Sequence, residues 1–496
     1  MSYIQVSDLT FAYEGSYDNI FDNVSFRLDT DWKLGLIGRN GRGKTTFLKL
    51  LMGRYEYSGT ISADMEFAYF PYEVEHKDWL TIDVLREICP LCEDWEIIKE
   101  LSRIDIGDDQ LWRPFETLSN GEQVKSLLAA LFLKEHAFLL IDEPTNHLDL
   151  EGRQAISRYL RQKKGFILVS HDRILLDDCI DHVLAINRNN IEVQRGNFSS
   201  WKENKDRQDA FEVSENEKLR KDIKRLEKAA QRTSNWSDKA EKAKNAGPRK
   251  AKESGVKVDK GYIGHKAEKV MQRAKNMERR QEEAIEEKSG LLRNIDTTDD
   301  LKLSPLKARQ NPVVYLKDVS VKYGDKVACQ GVSFEIEAGE QVAFRGKNGC
   351  GKSTILKLIC GEEMEVSGEF RRATGLKISY VPQKTDGLQG NLRDYADAYG
   401  IDESLFKAIL RKLGFSREQF DKKMEDFSDG QKKKVLIARS LCEEAHLYIW
   451  DEPLNFIDVF SRMQIEDLLQ KYKPTLLFVE HDAIFSEKIA GKIVEL

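Results

Sequence analysis

The sequence has no long hydrophobic run, since no apolar stretch approaches the ~18 residues that a membrane-spanning helix needs. Its first eight residues lack a basic region followed by an apolar stretch, which predicts that no signal peptide is present. The chain has seven cysteines, an odd number that gives no framework of disulfides and fits a reducing compartment. These features predict a cytoplasmic protein with no membrane partner.

Cysteine pairs suited to zinc are also scarce. Cys89 and Cys92 form a C-x-x-C, but a structural zinc site needs two further ligands. No second C-x-x-C or histidine pair supplies them. We therefore predict that these are two thiols on a helix and that the chain holds no zinc.

Charge is distributed unevenly along the chain. The net charge is −6, yet residues 218–280 hold 21 Lys and Arg against 8 Asp and Glu. The rest of the chain is therefore strongly acidic. One basic segment in an acidic protein predicts an anionic partner that binds at that segment.

Four motifs occur twice, at offsets of 308 to 310 residues. From the first glycine to the motif serine the two copies span 81 and 82 residues, and from that serine to a glutamate both span 24. The repeat predicts two similar domains, residues 1–199 and 297–496, joined by a linker of residues 200–296. The paired motifs are Gly38–Thr45 with Gly346–Ser353, Leu118–Gln123 with Phe427–Lys432, Leu139–Pro144 with Tyr448–Pro453, and Ser170–Asp172 with Glu480–Asp482.

Each copy shows the pattern of an α/β fold. Lys33–Gly38, Ala137–Asp142 and Gly165–Ser170 are short apolar runs that end in polar or small residues. Such runs are typical of parallel strands buried on both faces. A helical pattern follows the first glycine-rich loop, in Thr45–Leu51. We therefore predict a parallel sheet covered by helices in each domain.

The linker has a different composition. Residues 217–230 read as a charged helix with a narrow apolar stripe, glycines and a proline follow, and a helical pattern resumes from about His265 to Leu291. We predict a helical hairpin with arms of about 30–40 residues, roughly 45–60 Å long. A plain solvated linker is the alternative, but it would not need this basic charge.

The glycine-rich loops have the pattern G-x-x-x-x-G-K-[ST], whose backbone N–H groups surround phosphates at a helix N-terminus. Lys44 and Lys352 are predicted to reach the β- and γ-phosphates, and Thr45 and Ser353 to hold Mg²⁺. The predicted cofactors are thus ATP and Mg²⁺. The predicted loop contacts are Gly38, Asn40, Gly41, Gly43, Lys44, Thr45 and Thr46 in the first copy, and Gly346, Asn348, Gly349, Gly351, Lys352, Ser353 and Thr354 in the second.

Acidic residues end the second apolar run of each copy. Asp142 and Asp451 are predicted to orient the Mg²⁺ shell, and the glutamates that follow them, Glu143 and Glu452, to polarise the attacking water. A lone Asp-Glu is usually surface charge, but these pairs stand at the same distance from both loops. His171 and His481, each after another strand, are predicted to contact the γ-phosphate.

The Ser119-Asn120-Gly121 and Ser428-Asp429-Gly430 motifs resemble the signature of the ABC ATPase family, whose two domains pair head to tail. The resemblance implies that Ser428 and Gly430 complete the site built on Lys44, while Ser119 and Gly121 complete the site built on Lys352. It also implies a monomer whose own two domains pair, with Tyr13 and Tyr323 stacking on adenine. Gln383 would join the second Mg²⁺ shell. The first copy departs from the family pattern with Tyr72 there, and both signatures replace a glycine, by Asn120 and Asp429.

The tandem domains and basic hairpin resemble the ABC-F proteins. Trp32–Thr45, Leu111–Phe115, Ile141–Leu150, Leu447–Asn455 and the Gly261–Gly264 tip are similar to the Lsa-type resistance proteins. This implies a protein that binds large-subunit rRNA and P-site tRNA at the ribosomal E site. It would protect the peptidyl-transferase centre from lincosamides, streptogramin A compounds and pleuromutilins. Trp236 or Tyr262 would either stack on a base or pack within the hairpin. The alternatives are a housekeeping ABC-F translation factor and the ATPase subunit of a transporter.

Overall fold

The computed structural model describes residues 2–14, 19–146, 148–187, 190–245, 272, 276–277, 279–280, 301–323, 326–347 and 349–496. Side chains are described in the same ranges except at 230–245, 323 and 326. The chain forms two compact units. Residues 1–201 and 298–496 make up the first unit, which holds both sequence repeats, and residues 202–297 make up the second.

The first repeat is built on two sheets. Strands β1 to β9 are Tyr3–Phe11, Phe21–Asp29, Lys33–Ile37, Ser58–Ser62, Glu66–Phe70, Ala137–Asp142, Phe166–Val169, His182–Ile186 and Ile191–Arg195. A six-stranded sheet has the order β5-β6-β7-β3-β8-β9 and is parallel except for β9. An antiparallel sheet has the order β2-β1-β4. The inner parallel strands β6, β7, β3 and β8 are almost wholly buried, which is the reason for their continuous apolar sequence.

Eight α-helices lie in the described residues from 2 to 245. They are α1 Lys44–Leu51, α2 Thr81–Ile88, α3 Asp94–Ser102, α4 Asp108–Leu111, α5 Asn120–Leu133, α6 Leu150–Gln162, α7 Arg173–Cys179 and α8 Phe198–Asn245. Helix α1 follows β3, α6 connects β6 to β7, and α7 connects β7 to β8. Helix α5 starts at the first signature, where Ser119 is the N-cap and accepts from the N–H of Glu122.

The second repeat has the same plan. Its strands, β10 to β17, are Val314–Tyr323, Lys326–Ile336, Gln341–Arg345, Glu365–Arg372, Ile378–Val381, Leu447–Asp451, Leu476–Val479 and Lys492–Glu495. Its helices, α9 to α14, are Lys352–Cys360, Leu392–Ala398, Glu403–Lys412, Asp429–Cys442, Val459–Tyr472 and Ala483–Ile489. The parallel sheet has the order β14-β15-β16-β12-β17, and the antiparallel sheet β11-β10-β13. The predicted α/β fold of two tandem domains is confirmed.

Helix α8 is longer than the sequence predicts for a hairpin arm. It has 48 residues, which corresponds to about 72 Å, and it begins two residues before the predicted boundary. The reason lies in its first turn, because Phe198 and Trp201 are both 4% exposed and belong to the core of the first repeat. The helix therefore starts inside the domain. The predicted loop tip and most of the second arm, including Tyr262, lie outside the described residues, as does the side chain of Trp236.

Candidate functional site

The first glycine-rich loop connects β3 to α1 at the carboxyl edge of the parallel sheet. Gly41 and Gly43 have φ of 81° and 87°, a region that favours glycine. A Cβ on Gly43 would lie 2.6 Å from Cγ2 of Ile20, so the loop has no room for a side chain there. Lys44 is buried, and its Nζ donates to the carbonyl of Gly38 over 2.7 Å. The loop thus has the backbone geometry and the buried cation that a phosphate site requires.

A hydroxyl and a carboxylate meet beside this loop. Thr45 Oγ1 donates to Oδ2 of Asp142 over 2.8 Å, and the hydroxyl of Tyr69 donates to the same oxygen over 3.2 Å. Burial raises the pKa of Asp142, although these two donors and Lys44 act against it. Hard oxygen ligands of this kind are those that Mg²⁺ prefers. Tyr69 was not among the predicted site residues, although the aromatic residue recurs as Tyr380 in the second repeat.

Glu143 follows Asp142 in a left-handed backbone conformation, with φ of 53°. Its N–H donates to the carbonyl of Val169 over 2.9 Å, which holds the turned backbone against β7. Its Oε1 is buried without a hydrogen-bond partner and lies 3.3 Å from Nε2 of His171. Burial and the Asp142 charge raise the pKa of Glu143 to about 8. Burial, with Lys44 and Arg462, lowers the pKa of His171 well below its usual value.

An aromatic group and a cleft lie next to the first loop. Tyr13 is 43% exposed, its hydroxyl is 2.7 Å from Oγ1 of Thr46, and its ring meets those of Phe11 and Tyr55 edge to face. A cleft of about 1060 Å³ begins here. Its lining also includes Gly41 in the first repeat and residues 416–419 and 422 in the second. The cleft therefore takes its walls from both repeats.

The second repeat also contacts the first loop directly. Nδ2 of Asn40 donates to the carbonyl of Phe456 over 2.9 Å. A Cβ on Gly430 would lie 2.5 Å from that carbonyl oxygen and 3.1 Å from Asn40 Nδ2. Ser428, two residues earlier, is the N-cap of α12. The structure thus brings the second signature next to the first loop, which is the head-to-tail arrangement that the resemblance implies.

The second loop, between β12 and α9, repeats the first. Gly349 and Gly351 have φ of 84° and 98°. Nζ of Lys352 donates to the carbonyls of Gly346 and Lys347, both over 2.8 Å. Thr354 lies half-buried in the first turn of α9. Asn348 and the side chain of Tyr323 lie outside the described residues, so these two predicted contacts remain predictions.

The acidic pair of the second repeat differs from the first in its surroundings. Ser353 hydrogen-bonds Asp451, whose Oδ1 is buried without a partner, while burial raises the pKa of this aspartate. Glu452 has φ of 46°, and its Oε2 accepts from Nδ2 of Asn455 over 2.6 Å. Burial works to raise the pKa of Glu452, but His481 and the Gln383 side chain outweigh it and hold the pKa at about 2.

The first repeat has no equivalent of the Gln383 contact. Tyr72, at the matching position, is partly buried and packs against the apolar core of its own domain. Burial and the Asp142 charge leave Glu143 with a raised pKa, whereas Glu452 has a lowered one. The two candidate sites therefore differ in the acid–base properties of their glutamates.

The first signature lies on the other side of the interface. Ser119 Oγ donates to Oε2 of Glu122 over 2.7 Å, and a Cβ on Gly121 would meet Leu148 of its own domain at 3.3 Å. Glu151, on α6, pairs with Lys347 of the second loop over 3.4 Å, and both side chains are largely exposed. A cleft of about 360 Å³ lies here, lined by Asp149, Leu150, Glu151, Phe344–Lys347, Glu480, His481, Ala483, Ser486, Glu495 and Leu496.

A buried ion pair between the repeats was missed by the sequence reasoning. Nη1 of Arg173 donates to Oε2 of Glu466 over 3.1 Å, its Nη2 contacts Oε1 of the same glutamate, and Asp482 lies 3.7 Å away. Ala483 and Ser157 stand at the matching positions of the other repeat. The ion pair therefore exists on one side only. This mismatch between otherwise similar repeats was the available sequence signal.

Helix α8 also connects the repeats. The rings of Trp201 and Phe460 are 6.1 Å apart, and Phe460 and Met463 of α13 pack against the core of the first repeat. Among the described residues, no helix is long and apolar enough to cross a membrane. The described part of the chain likewise holds no cluster of three or more His, Cys, Asp or Glu that suits a metal ion.

Comparison with known proteins identifies the family. The ABC transporter family model matches residues 21–146 and 329–455, half of the chain. The ribosome protection protein VmlR of Bacillus subtilis is 28% identical over 96% of this chain and 84% of its own length. ABC transporter F family member 2 of Arabidopsis thaliana is 24% identical over 99% of this chain and 76% of its own length.

The solved structures include the archaeal ribosome recycling factor aABCE1 in complex with stalk protein aP1. The match covers 98% of this chain and 87% of the aABCE1 chain, with a TM-score of 0.62. Because the sequence identity is 20%, the similarity concerns the fold alone. The family model and this solved structure both span the two repeats. The chain therefore belongs to the ABC transporter family, as an ATPase with two ATP-binding domains, and is similar to the ABC-F members of that family.

Proposed function

We propose that this chain is an ATP-dependent ABC-F protein that binds the bacterial ribosome and protects it from antibiotics. The contact of Asn40 with Phe456 and Gly430 is the observation that supports this most directly. Domains that close over nucleotide can couple ATP binding and hydrolysis to holding and releasing a partner. The relative VmlR is a ribosome protection protein, which favours the ribosome as that partner.

Each proposed ATP site takes residues from both domains, residues 1–199 and 297–496. The first site has the loop around Lys44, with Tyr13 beside the adenine and Ser428 and Gly430 facing it from the second domain. The second has the loop around Lys352, with Tyr323, Ser119 and Gly121 in the corresponding roles. The Asn40–Phe456 contact supports the first arrangement. The second follows from the repeat.

The proposed chemistry is the same at both sites. Glu143 and Glu452 orient and polarise the attacking water, while His171 and His481, next to those carboxylates, contact the γ-phosphate. Thr45 with Asp142, and Ser353 with Asp451 and Gln383, would hold Mg²⁺. The buried, unpartnered Oδ1 of Asp451 and the hydroxyl–carboxylate pairs fit this hard cation. Bound there, Mg²⁺ would supply neutralising charge to the phosphate oxygens.

The linker, residues 200–296, is the proposed ribosome-binding element. Helix α8 carries 10 Lys and Arg against 4 Asp and Glu from Lys218 to Asn245. A rod of this charge suits contact with the phosphates of large-subunit rRNA and P-site tRNA. A helix that starts in the core of the first domain at Phe198 can transmit the closure of the domains to the linker. We propose that the linker enters the E site.

The protected drugs are proposed to be lincosamides, streptogramin A compounds and pleuromutilins, which act at the peptidyl-transferase centre. The test is the drug susceptibility of a deletion strain complemented with the wild-type gene or with the Glu143→Gln/Glu452→Gln form. Resistance should be lost in the deletion strain and restored by the wild-type gene alone. A deletion strain that keeps full resistance to all three classes would instead favour a housekeeping ABC-F translation factor.

A further inference from the structure

A lysine is buried behind the second candidate site. Lys433, in the second turn of α12, is 2% exposed. Its Nζ donates to the carbonyl of Pro382 over 2.9 Å and to the carbonyl of Asp451 over 3.4 Å. The cost of burying an ammonium group is high unless it is paired and hydrogen-bonded. A buried lysine that meets two backbone carbonyls is therefore retained for a reason other than apolar packing.

The other repeat has no charge at this place. The residue matching Lys433 is Val124, which packs against the apolar core of the first domain. A second mismatch accompanies it, because Glu480 stands where the first repeat has Ser170. Glu480 is the first of the charges that act on Lys433, ahead of Asp451 and Glu452. The second domain thus has a buried positive group and a half-buried negative group that the first domain lacks.

The two carbonyls that Lys433 contacts directly precede two predicted site residues. Pro382 directly precedes Gln383, and Asp451 directly precedes Glu452. The Gln383 side chain hydrogen-bonds Glu452, so Lys433 ties together the backbones of two residues whose side chains meet in the site. Glu452 is also held in a left-handed conformation, which persists only where its surroundings fix it.

Glu480 makes the matching contacts on the other side. Its Oε1 accepts from the N–H of Leu454 over 2.7 Å, and its Oε2 from the N–H of His481 over 2.9 Å. Leu454 lies two residues after Glu452, and His481 is 3.7 Å from the Glu452 carboxylate. Burial lowers the pKa of Lys433 to about 8, while Glu480, Asp451 and Glu452 favour its charged form. Lys433 and Glu480 therefore hydrogen-bond four backbone groups around the site, those of Pro382, Asp451, Leu454 and His481.

We infer that Lys433, with Glu480, is a positioning residue for ATP hydrolysis at the second site, through the backbones of Gln383 and Glu452. This inference rests on the roles proposed above for Gln383 and Glu452. Lys433 acts through these residues and not on the nucleotide. The pair gives the second site a fixed catalytic carboxylate that the first site, with Val124 and Ser170, holds less firmly.

The competing explanation is that the pair serves folding alone. The first domain reaches the same α/β fold with Val124 and Ser170 in these places, so the fold does not require the charges. Replacing both charges with the first domain's residues also avoids an unpaired buried charge, which is the usual cause of unfolding in single variants. The double replacement Lys433→Val/Glu480→Ser therefore separates positioning from folding.

The experiment uses the full chain with Glu143→Gln, so that the second site supplies the turnover. Steady-state ATPase is measured without ribosomes for Lys433→Met and Lys433→Val/Glu480→Ser, together with their thermal midpoints. Lys407→Met, on α11 and outside both sites, is the matched control for loss of one ammonium group. A Glu143→Gln parent without ATPase would contradict the proposed turnover at the second site, and it would overturn the inference that rests on it.

The expected result is a fall in kcat of about ten- to hundred-fold for the double variant, the range seen when a supporting residue of a site is removed. Its KM for ATP should stay within about two-fold of the parent value, because the phosphate loop and signature are intact. Lys407→Met should behave as the parent. A folded double variant with the parent's kcat would overturn the inference, as would a loss confined to KM.

Discussion

The side-chain amide of Asn40, in the first phosphate loop, donates to the backbone carbonyl of Phe456 in the second domain over 2.9 Å. Gly430 lies against both groups. Two residues separated by more than four hundred positions thus meet at one hydrogen bond, between the first glycine-rich loop and a carbonyl that lies beside the signature glycine Gly430. This contact is the structural basis for the proposal of an ATP site shared by two domains.

Replacing the signature glycines should have unequal effects. A Cβ on Gly430 would lie 2.5 Å from the Phe456 carbonyl oxygen and 3.1 Å from Nδ2 of Asn40, so Gly430→Ala must displace the carbonyl that accepts from Asn40. A displacement of about 1 Å can cost roughly a hundred-fold in rate, and we expect a fall in ATPase of about 10- to 100-fold. Gly121→Ala is the matched control, since its Cβ meets only Leu148 Cδ2 at 3.3 Å. Equal losses in steady-state ATPase would contradict this account of the interface.

The two proposed catalytic glutamates, Glu143 and Glu452, should also differ in their contributions to ATP hydrolysis. Gln383 hydrogen-bonds Glu452, whereas Tyr72, which has no amide carbonyl to offer a metal ion, stands at the matching position of the first site. We expect Glu143→Gln to reduce steady-state ATPase less than Glu452→Gln does. The two single variants are compared at saturating ATP and Mg²⁺. Equal losses would remove the reason for regarding Tyr72 as significant.

The one-sided ion pair should stabilise the closed arrangement. Arg173→Ala leaves Glu466, which is 3% exposed, without its main partner, a change that costs about 3–5 kcal/mol when an ion pair is buried. We expect the thermal midpoint to fall by several degrees. Arg158→Ala is the control, because the exposed Arg158–Asp105 pair should contribute about 1 kcal/mol or less. Equal falls in the thermal midpoints of Arg173→Ala and Arg158→Ala would contradict this, because the buried pair would then contribute no more to stability than the exposed pair.

The sequence predicts most of what depends on spacing. The repeats fix the two phosphate loops, the strand-ending acids and the α/β fold, because a parallel strand buried on both faces has a continuous apolar sequence. The Arg173–Glu466 and Asn40–Phe456 contacts could not be predicted from the sequence, because they depend on how the two domains pack against each other. Phe198 and Trp201 extend α8 into the first domain, and an aromatic pair in a charged segment gave little sign of it. Lys433 looks like one of three consecutive surface lysines until its burial is known.

The predicted tip and arms of the linker hairpin should have separable roles. Residues 255–264 are rich in glycine and poorer in charge than the arms, which favours access to a narrow rRNA-walled space over binding to phosphates. Shortening this loop by a few residues should leave ATPase and ribosome binding largely intact while abolishing drug protection. Reversing several arm charges should instead weaken ribosome binding most at higher salt. Co-sedimentation and growth inhibition are measured for both variants, and a shortened protein that still protects fully would exclude the tip.

The most direct test of the account is co-sedimentation of Glu143→Gln/Glu452→Gln with ribosomes in the presence of ATP. Glutamine keeps the shape and hydrogen bonding of glutamate but removes the charge that polarises water. ATP should therefore still close the two domains while hydrolysis, which would release them, does not occur. The account predicts that the double variant remains on ribosomes in ATP and blocks translation. A double variant that sediments as free protein in ATP would contradict it.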